Sequence, residues 1–279
     1  MNDIKIISYN CRGLHDAKKR ADVFQFLKER DASIYCLQDV HFTSNMEKHL
    51  YSQWNSNCYF SYSRSNARGV AILFSRNIDV KVHQTHVDEN GNYIILDLTF
   101  NSKRFSLINI YGPNIDQPEF YQNIIRIIDM VGNETVIWCG DFNLVLDVDL
   151  DYYNYKSKDN NKKSRAMLLT FIQNKRLCDP YRELNGNIKR YTWRRTNPLQ
   201  QARLDFFLLS PDLLSQVRSC DISLSYRSDH SLVMLSIDFS NVTHGKGLWK
   251  FNNSLLQDIN YLECINKKIE EGTILFANL

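Results

Sequence analysis

The first third of the chain alternates between two spacings of apolar residues. Three short apolar runs have the length and composition of buried strands: residues 4–9 (IKIISY), 33–38 (SIYCLQ) and 68–75 (RGVAILFS). Between the first two runs, residues 18–30 place Val23, Phe26 and Leu27 on one face, which predicts an amphipathic helix. Strand-like runs that alternate with helical ones are typical of α/β proteins.

In the middle of the chain, strand-like runs follow one another directly, with only short turns between them. Three strand-like runs in HVDENGNYIILDLTFNSKRFSLINIYG are joined by the turn pairs Asn90-Gly91 and Asn101-Ser102, which predicts antiparallel hairpins. Apolar residues at helical spacing predict a helix at 117–131. Four more runs read as strands: residues 134–140, 203–209, 217–226 and 231–239. These patterns together indicate a mixed sheet, or two, covered by helices.

The composition fits one large domain with a short appendage. Of the 279 residues, 43% are hydrophobic and 12% are aromatic, which is enough for a sizeable core and excludes a disordered chain. From about Asn241 the periodic pattern loosens. We therefore predict a core domain at 1–240 and a tail at 241–279 outside that core.

Cysteine usage and the absence of long apolar runs bear on the compartment. The seven cysteines are scattered singly and form no CxxC pair, which favours buried free thiols over a zinc site or disulfide framework. No run approaches the ~20 apolar residues of a membrane span. The N-terminus also lacks the apolar run of a secretory signal. We expect an intracellular protein of the nucleus and/or cytoplasm, without a membrane partner.

Polar residues recur at the ends of the predicted strands, where ligand sites of open α/β sheets gather. Eight residues lie after or, for the last two, just before a strand: Asn10, Asp39, Tyr111, Asn114, Asp141, Asn143, Asp229 and His230. Asp205 lies near the start of another strand. Taken singly, each residue has a structural explanation as a turn former, a hydrogen-bonded pair or a core aromatic. As a set they offer what metal-assisted phosphodiester hydrolysis requires.

The phrases around these residues resemble, in order, the motifs of the endonuclease/exonuclease/phosphatase superfamily. The matching phrases are the first Asn, LQ followed by an acidic residue, YGPN, GDFN, RLDFFLLS and SDH, spread over residues 4–239. The resemblance implies a four-layer sandwich, in which two mixed β-sheets pack face to face between helices. It also implies phosphodiester hydrolysis with Mg²⁺, or Mn²⁺ as an alternative.

A finer resemblance is to the endonuclease domains of LINE-type (non-LTR) retrotransposons, which are related to exonuclease III-type AP endonucleases. The phrases NCRGL, LQDVHF, LCDPYR, YTW and GLWKFNNSLL carry this likeness. In those polyproteins a reverse transcriptase follows, whereas only 40 residues follow Phe239 here. We expect an excised, truncated or stand-alone endonuclease portion, with a reverse transcriptase domain or element RNA supplied elsewhere as a partner.

The resemblance implies metal ligands and phosphate contacts. Asp39 would bind the metal, and Asn10 would place the metal or the phosphate. Asp229 would be a second metal ligand or a support for the first. Tyr111 and Asn114 would contact the phosphate or the leaving oxygen.

The resemblance also implies the residues that act on the water and the scissile phosphate. Asp141 would orient or deprotonate the attacking water, with support from Asn143. His230 would contact the phosphate, and Asp205 would orient the imidazole ring.

Two departures from the family pattern stand out. Asp39 replaces the usual Glu, which moves the carboxylate by roughly 1.5 Å, and catalytic geometry is sensitive at the ~1 Å level. In addition, Arg12 stands where exonuclease III-type repair enzymes carry an acidic residue. The second departure favours the retrotransposon type over the repair type.

Net charge is only +3, so a DNA contact depends on local basic clusters. The segments 156–165 and 186–203 each hold five Lys or Arg, against one acid and none respectively. The first segment could equally be a solvated loop. We expect Trp193 to lie in the core. The predicted DNA contacts are Arg12, Arg68, Lys189, Arg190, Arg194, Arg195 and Arg203.

The leading hypothesis is a Mg²⁺-dependent endonuclease that nicks duplex DNA and leaves a 3′-hydroxyl primer end. An AP endonuclease of the exonuclease III type keeps the same fold with another substrate. A lipid or inositol phosphatase is disfavoured because QARLDFF stands where those enzymes carry a P-x-W-C-D-R-like phrase. A catalytically decayed remnant that only binds nucleic acid is the fourth alternative, and Asp39 motivates it.

Overall fold

The computed structural model describes residues 3–63, 67–154, 161–239 and four positions beyond them, 262, 263, 266 and 267. Met1–Ser240 form a compact unit that carries the sheets. The tail predicted at 241–279 lies, apart from those four positions, outside the described residues. The domain boundary therefore stays a prediction.

Strands and helices are numbered in chain order through the described residues. The strands are β1 (Asp3–Asn10), β2 (Ile34–Gln38), β3 (Cys58–Ser61), β4 (Val70–Phe74), β5 (Lys81–Val87), β6 (Tyr93–Phe100), β7 (Lys103–Tyr111), β8 (Val136–Asp141), β9 (Tyr152–Tyr153), β10 (Trp193–Thr196), β11 (Leu199–Ala202), β12 (Asp205–Leu209), β13 (Val217–Ser223) and β14 (Leu232–Asp238). The helices are α1 (Ala17–Lys28), α2 (Glu47–Trp54), α3 (Pro118–Val131), α4 (Lys162–Lys175), α5 (Pro180–Asn185) and α6 (Pro211–Leu214).

Two large mixed sheets and one small sheet contain these strands. The six-stranded sheet has the order β13-β14-β1-β2-β4-β3, and the five-stranded sheet has the order β12-β8-β7-β6-β5. Each large sheet has one parallel pair, β1 with β2 and β7 with β8, among antiparallel ones. The strands β10, β11 and β9 form the small antiparallel sheet. The predicted hairpins β5–β6 and β6–β7 are confirmed.

Alternating side chains pack the large sheets face to face and bury their outer faces under helices. In β1, Ile4 and Ile6 lie in the core between the sheets, whereas Ile7 packs with residues of α1 and α2. In β8, Ile137 joins the same inner core, and Trp138 packs with α3 and α4. Because successive strand residues point to opposite faces, this alternation produces four layers. The expected sandwich is confirmed.

Some element boundaries differ from the sequence prediction. The buried face of α1 contains Phe24, while Phe26 is only partly buried and stacks on Tyr226. The strand predicted at 217–226 ends at Ser223, and the residues after it are exposed. Of the basic cluster 156–165, the part from Lys162 onward begins α4, and residues 155–160 lie outside the described residues.

The cysteines agree with the expectation of free thiols. Cys11, Cys36, Cys58, Cys139 and Cys220 are buried and free, and Cys178 is free and partly buried. Cys264 lies outside the described residues. Among the described helices, none has both the length and the apolar character needed to cross a bilayer.

Candidate active site

One cavity lies where the carboxyl ends of strands from both large sheets meet. Its volume is about 340 Å³, and eight of the nine predicted catalytic and metal-binding residues line it. The ninth, Asp205, contacts the cavity residue His230 from behind. The lining residues are Asn10, Arg12, Asp39, Tyr111, Asn114, Asp141, Asn143, Trp193, Leu204, Asp229 and His230. The strand-end placement read from the sequence therefore brings these residues together in three dimensions.

His230 is buried and held from two sides. Its ring Nδ1 lies 2.8 Å from Asp205 Oδ2, and its backbone N–H donates to Ser228 Oγ. Burial opposes the charge on the ring, but the carboxylates of Asp205 and Asp141 outweigh it and raise the pKa of His230 to about 9. The imidazole is therefore a fixed cation near neutral pH, suited to contact a phosphate oxygen through Nε2.

Asp141 is the last residue of β8 and is 1% exposed. Its Oδ2 accepts from Asn10 Nδ2 at 2.8 Å, and its Oδ1 accepts from the Asn143 N–H at 2.9 Å. His230 Nε2 lies 3.8 Å from the same Oδ2. Burial, followed by the nearby Asp205 carboxylate, raises the pKa of Asp141 to about 7. A carboxylate with a pKa near the working pH is suited to act as a general base.

Glycines in YGPN and GDFN let the ends of β7 and β8 approach closely. Gly140 has φ +139°, and a Cβ there would lie 2.1 Å from the carbonyl oxygen of Ile110. Gly112 donates its N–H to the Asp141 carbonyl at 2.7 Å and accepts from Asn143 Nδ2 at 2.7 Å. Asn143 has φ +50°, a conformation that Asn tolerates better than most residues. The motif residues therefore fix one another through the backbone.

Asp39 directly follows β2 on the other side of the cavity. Its Oδ1 lies 2.9 Å from His41 Nε2, and it also lines an adjoining groove of about 650 Å³. The strand end is anchored by Gln38, whose Nε2 donates to Asn109 Oδ1 at 2.7 Å across the two sheets. Asn109 Nδ2 donates in turn to two backbone carbonyls of the six-stranded sheet. This contact between the two sheets fixes how far the end of β2, next to Asp39, lies from the end of β8, which carries Asp141.

Tyr111 ends β7 and lines both the cavity and the groove. Burial, and then the charge of Asp39, raises the pKa of the Tyr111 hydroxyl, so it stays protonated and can donate to a phosphate oxygen. Asn114 is exposed at the rim of the same cavity.

Oxygen donors around the cavity fit a magnesium ion. Asp141, Asp205 and His230 offer ligand atoms within 4.8 Å of one another. A protonated imidazole has no lone pair for a metal, however, and the raised pKa of His230 favours that form. The carboxylate of Asp39 and the side-chain oxygen of Asn10 are hard donors that suit Mg²⁺.

The predicted second ligand, Asp229, is partly buried beside Arg12. The guanidinium Nη1 of Arg12 lies 3.6 Å from Asp229 Oδ2. The repair-type pattern has an acidic residue at the position of Arg12. In this chain that position instead places a basic side chain beside the Asp229 carboxylate. Arg12 itself is exposed and lines the cavity, where a phosphate can reach it.

Six of the seven predicted DNA contacts are exposed: Arg12, Arg68, Lys189, Arg190, Arg194 and Arg195. Arg203 is 1% exposed and pairs with Asp151 and Asp179 at 2.8 and 2.6 Å. The prediction that Arg203 contacts DNA is therefore wrong, because a buried guanidinium held by two carboxylates cannot reach a phosphate outside. The Arg of RLDFFLLS and the Asp of LCDPYR stabilise the fold instead.

Sequence reasoning missed several residues that shape the cavity. Trp193 was expected in the core, but it is partly buried and lines the cavity with Leu204. The inward residue is Thr192, whose Oγ1 accepts from the backbone N–H groups of Leu204 and Asp205. The strict alternation of side chains in an extended segment, applied from buried Thr192, would have directed Trp193 outward. His41 was also missed, although it stands two residues after Asp39.

A family model described as the Endonuclease/Exonuclease/phosphatase family matches residues 7–230. The chain belongs to this family. The match begins within β1 and ends at His230, so it includes every catalytic and metal-binding residue predicted here. The endonuclease/exonuclease/phosphatase family to which the chain belongs comprises hydrolases that act on phosphodiester bonds.

Two curated relatives differ in how much of their own length is matched. The "Transposon TX1 uncharacterized 149 kDa protein" of Xenopus laevis is 26% identical over 267 residues, covering 94% of this chain and 20% of the relative. The "Exodeoxyribonuclease" of Bacillus subtilis (strain 168) is 26% identical over 265 residues, covering 84% of this chain and 100% of that protein. The chain thus spans a fifth of the transposon protein. The match to it agrees with the retrotransposon resemblance.

Two solved structures that are similar to the chain share its fold. The AP endonuclease LMAP from Leishmania major superposes with a TM-score of 0.71 at 18% identity, covering 85% of this chain and 88% of that one. The catalytic domain of Xenopus laevis APE2 gives a TM-score of 0.67 at 21% identity, covering 84% and 92%. At such identities the likeness establishes the four-layer architecture alone.

Proposed function

We propose that this chain is a Mg²⁺-dependent DNA endonuclease that nicks duplex DNA and leaves a 3′-hydroxyl primer end, as a retrotransposon endonuclease does. The observation that carries the proposal is the shared cavity, in which Asp141 and His230, the latter held from behind by Asp205, face Asp39. The match to a transposon protein supports this type, as does Arg12 beside Asp229.

In this proposal Asp141 accepts a proton from the attacking water, whose oxygen bonds to phosphorus. The bond from phosphorus to the 3′ oxygen breaks, and that oxygen takes up a proton from solvent water to become the 3′-hydroxyl. His230, held by Asp205, contacts the phosphate as a cation. Tyr111 donates its hydroxyl proton in a hydrogen bond to a phosphate oxygen. A bound Mg²⁺ would neutralise the phosphate and stabilise the leaving oxygen.

Asp39 and Asn10 would hold the cation, and Asp229 would support them from beside Arg12. The exposed cations Arg68, Lys189, Arg190, Arg194 and Arg195 would contact the DNA backbone. Such contacts add affinity that does not depend on sequence. A reverse transcriptase domain or element RNA as partner, a nuclear location, and a linker role for residues 241–279 remain predictions of the retrotransposon type.

Abasic-site cleavage is the second candidate, and one observation favours it. Trp193 and Leu204 form an apolar part of the cavity wall beside His230. Apolar walls of this kind can accept a sugar that has lost its base, because no base fills the space. The solved AP endonucleases also share the fold.

One experiment separates these candidates. Supercoiled plasmid and an oligonucleotide with a single abasic site are incubated with the protein, with and without Mg²⁺, beside the variant His230→Ala. We expect Mg²⁺-dependent nicks in intact plasmid that a polymerase can extend directly. Cleavage confined to the abasic oligonucleotide would replace the first candidate with the second. Absence of cleavage on both substrates, together with DNA binding, would indicate a decayed remnant.

A further inference from the structure

The Asp39 carboxylate is not free to rotate, because a histidine holds one of its oxygens. His41 Nε2 lies 2.9 Å from Asp39 Oδ1, and the side chains are 29% and 16% exposed. A neutral imidazole with its proton on Nε2 donates to that oxygen. The bond uses Oδ1 and leaves Oδ2 to a cation.

The loop that carries both residues is fixed on both sides by the backbone. Gly13 and Leu14 donate their N–H groups to the carbonyls of Asp39 and Val40, at 2.7 and 2.8 Å. On the opposite side, His41 donates its N–H to the Arg68 carbonyl at 2.7 Å. The short segment therefore lies between two neighbouring loops and cannot shift without breaking these bonds.

Unusual backbone conformations aim the two side chains at each other. Asp39 has φ +52° and His41 has φ +56°, in the left-handed region that few non-glycine residues adopt but that Asp and His enter more readily than most. The imidazole lies against Gly13, where a Cβ would be 2.9 Å from Nδ1. Gly13 has φ +79° and leaves the space that the ring occupies. The ring position is thus set by three separate loops rather than by a chance surface contact.

We propose that His41 is a positioning residue for the cation of this site: it fixes the short Asp39 carboxylate so that Oδ2 faces the cavity. This inference rests on the proposed function, since it assumes that Asp39 holds the cation. An aspartate in place of the longer glutamate reaches less far into the cavity, so its orientation matters more. Partners that orient metal ligands are typically worth about 10–100-fold in metal affinity.

The test measures Mn²⁺ binding directly, by calorimetry and electron paramagnetic resonance, on the whole chain without DNA. We compare the parent with His41→Ala, His41→Leu and His41→Gln. Leucine fills the space without a donor, whereas the amide nitrogen of glutamine can replace Nε2. We expect the Kd for Mn²⁺ to rise about 10–100-fold in the alanine and leucine variants. The glutamine variant should recover most of the affinity.

A matched control comes from His83, which is exposed on β5 and hydrogen-bonded to Thr99. His83→Ala should bind Mn²⁺ as the parent does. The bound Mn²⁺ should show no directly coordinated nitrogen, because His41 acts through Asp39. At saturating metal, nicking by His41→Ala should approach the parent rate, which a general structural defect would not allow.

Two outcomes would overturn the inference: unchanged Mn²⁺ affinity in both His41→Ala and His41→Leu, or nitrogen coordination that His41→Gln removes. The variant Asp39→Asn distinguishes this failure from that of the proposed function. If Asp39→Asn also keeps full affinity, the cation site itself is misplaced. If Asp39→Asn loses affinity and the His41 variants keep it, only the role of His41 is wrong.

Discussion

The side chains of His230, Asp205 and Asp141 are 8%, 0% and 1% exposed, whereas those of Asp39 and His41, across the same cavity, are 16% and 29% exposed. On the buried side, formed by His230, Asp205 and Asp141, strand ends and direct side-chain hydrogen bonds fix the geometry. On the more open side, formed by Asp39 and His41, a loop with left-handed backbone fixes it. Buried polar groups hold their geometry without a ligand, since moving them would leave charges unpaired. The open side is suited to admit a hydrated cation.

Removing the imidazole should give the largest loss of activity. His230→Ala deletes the cation that faces the phosphate and leaves the buried Asp205 without its partner. We expect nicking to fall by about 10³–10⁴-fold, because the variant loses a preorganised charge, alone worth about 10²–10³-fold, and also leaves a buried carboxylate unpaired. Plasmid nicking under saturating Mg²⁺ measures the loss. His83→Ala serves as the matched control and should keep the parent rate; a comparable loss there would remove the specific role of His230.

Neutralising one carboxylate on each side tests whether the buried side acts in the chemical step while the open side binds the metal. Asp205→Asn should lower the nicking rate about 10²–10⁴-fold at saturating Mg²⁺, because loss of the Asp205 charge lowers the pKa of His230 and weakens the hold on its ring. Its Mn²⁺ affinity should stay unchanged. Asp39→Asn should instead raise the Kd for Mn²⁺ at least about 10-fold. Metal calorimetry beside single-turnover nicking separates the effects, and identical behaviour of both variants would contradict a divided site.

The buried arginine of RLDFFLLS should matter for stability rather than chemistry. Arg203→Ala leaves the Asp179 carboxylate without its buried cation and leaves Asp151 with Arg182 alone, which costs about 3–5 kcal/mol of unfolding free energy. Urea unfolding followed by circular dichroism measures the change. Arg76→Ala, an exposed arginine just beyond the far end of β4, should stay within about 0.5 kcal/mol of the parent. Equal stabilities of the two variants would contradict the structural role.

Arg203 also illustrates what sequence could and could not provide. The strands were predictable because apolar runs such as VAILF in β4 leave little alternative to burial. The convergence of Asp39, Asp141 and His230 was predictable from their places at strand ends and from the order of the family motifs. The burial of Arg203 was not, because its partners come from segments that the local pattern around RLDFF does not reveal.

The conformation around Asp39 escaped prediction for a related reason. His41 is only two residues away, yet both backbones are left-handed, and nothing in LQDVHF specifies that conformation. The loops that stabilise it come from around Gly13 and Arg68. A spacing of two residues in an extended chain would have placed these side chains parallel rather than in contact.

The buried side should also make the metal-free protein sensitive to alkali. The folded pKa of His230, about 9, lies above its ordinary value of 6.5, so the ring binds its proton more tightly when folded. This stabilisation is fully present below about pH 6.5 and is lost as pH rises through 9. The urea concentration at the unfolding midpoint, measured in EDTA, should therefore decrease as the pH is raised from 6.5 to 9. In His230→Gln the loss of stability with rising pH should be smaller. If the loss per pH unit equals that of the parent, groups other than His230 cause it.

The smallest effect should come from the exposed arginines, which test the open side at its outer edge. Arg194 is exposed in β10 and donates its backbone N–H to the Asp229 carbonyl, so its strand lies beside the cavity. Arg194→Ala should weaken DNA binding only a few-fold at low salt, because one phosphate contact is a small part of the total. The slope of log affinity against log salt should decrease by about 1. Fluorescence anisotropy in the slow-cleaving His230→Ala background, with EDTA in place of Mg²⁺, measures this slope without cleavage. Arg76→Ala in the same background should leave the slope unchanged; if both variants lower it equally, the charge acts through the overall field of the protein and not through a contact at β10.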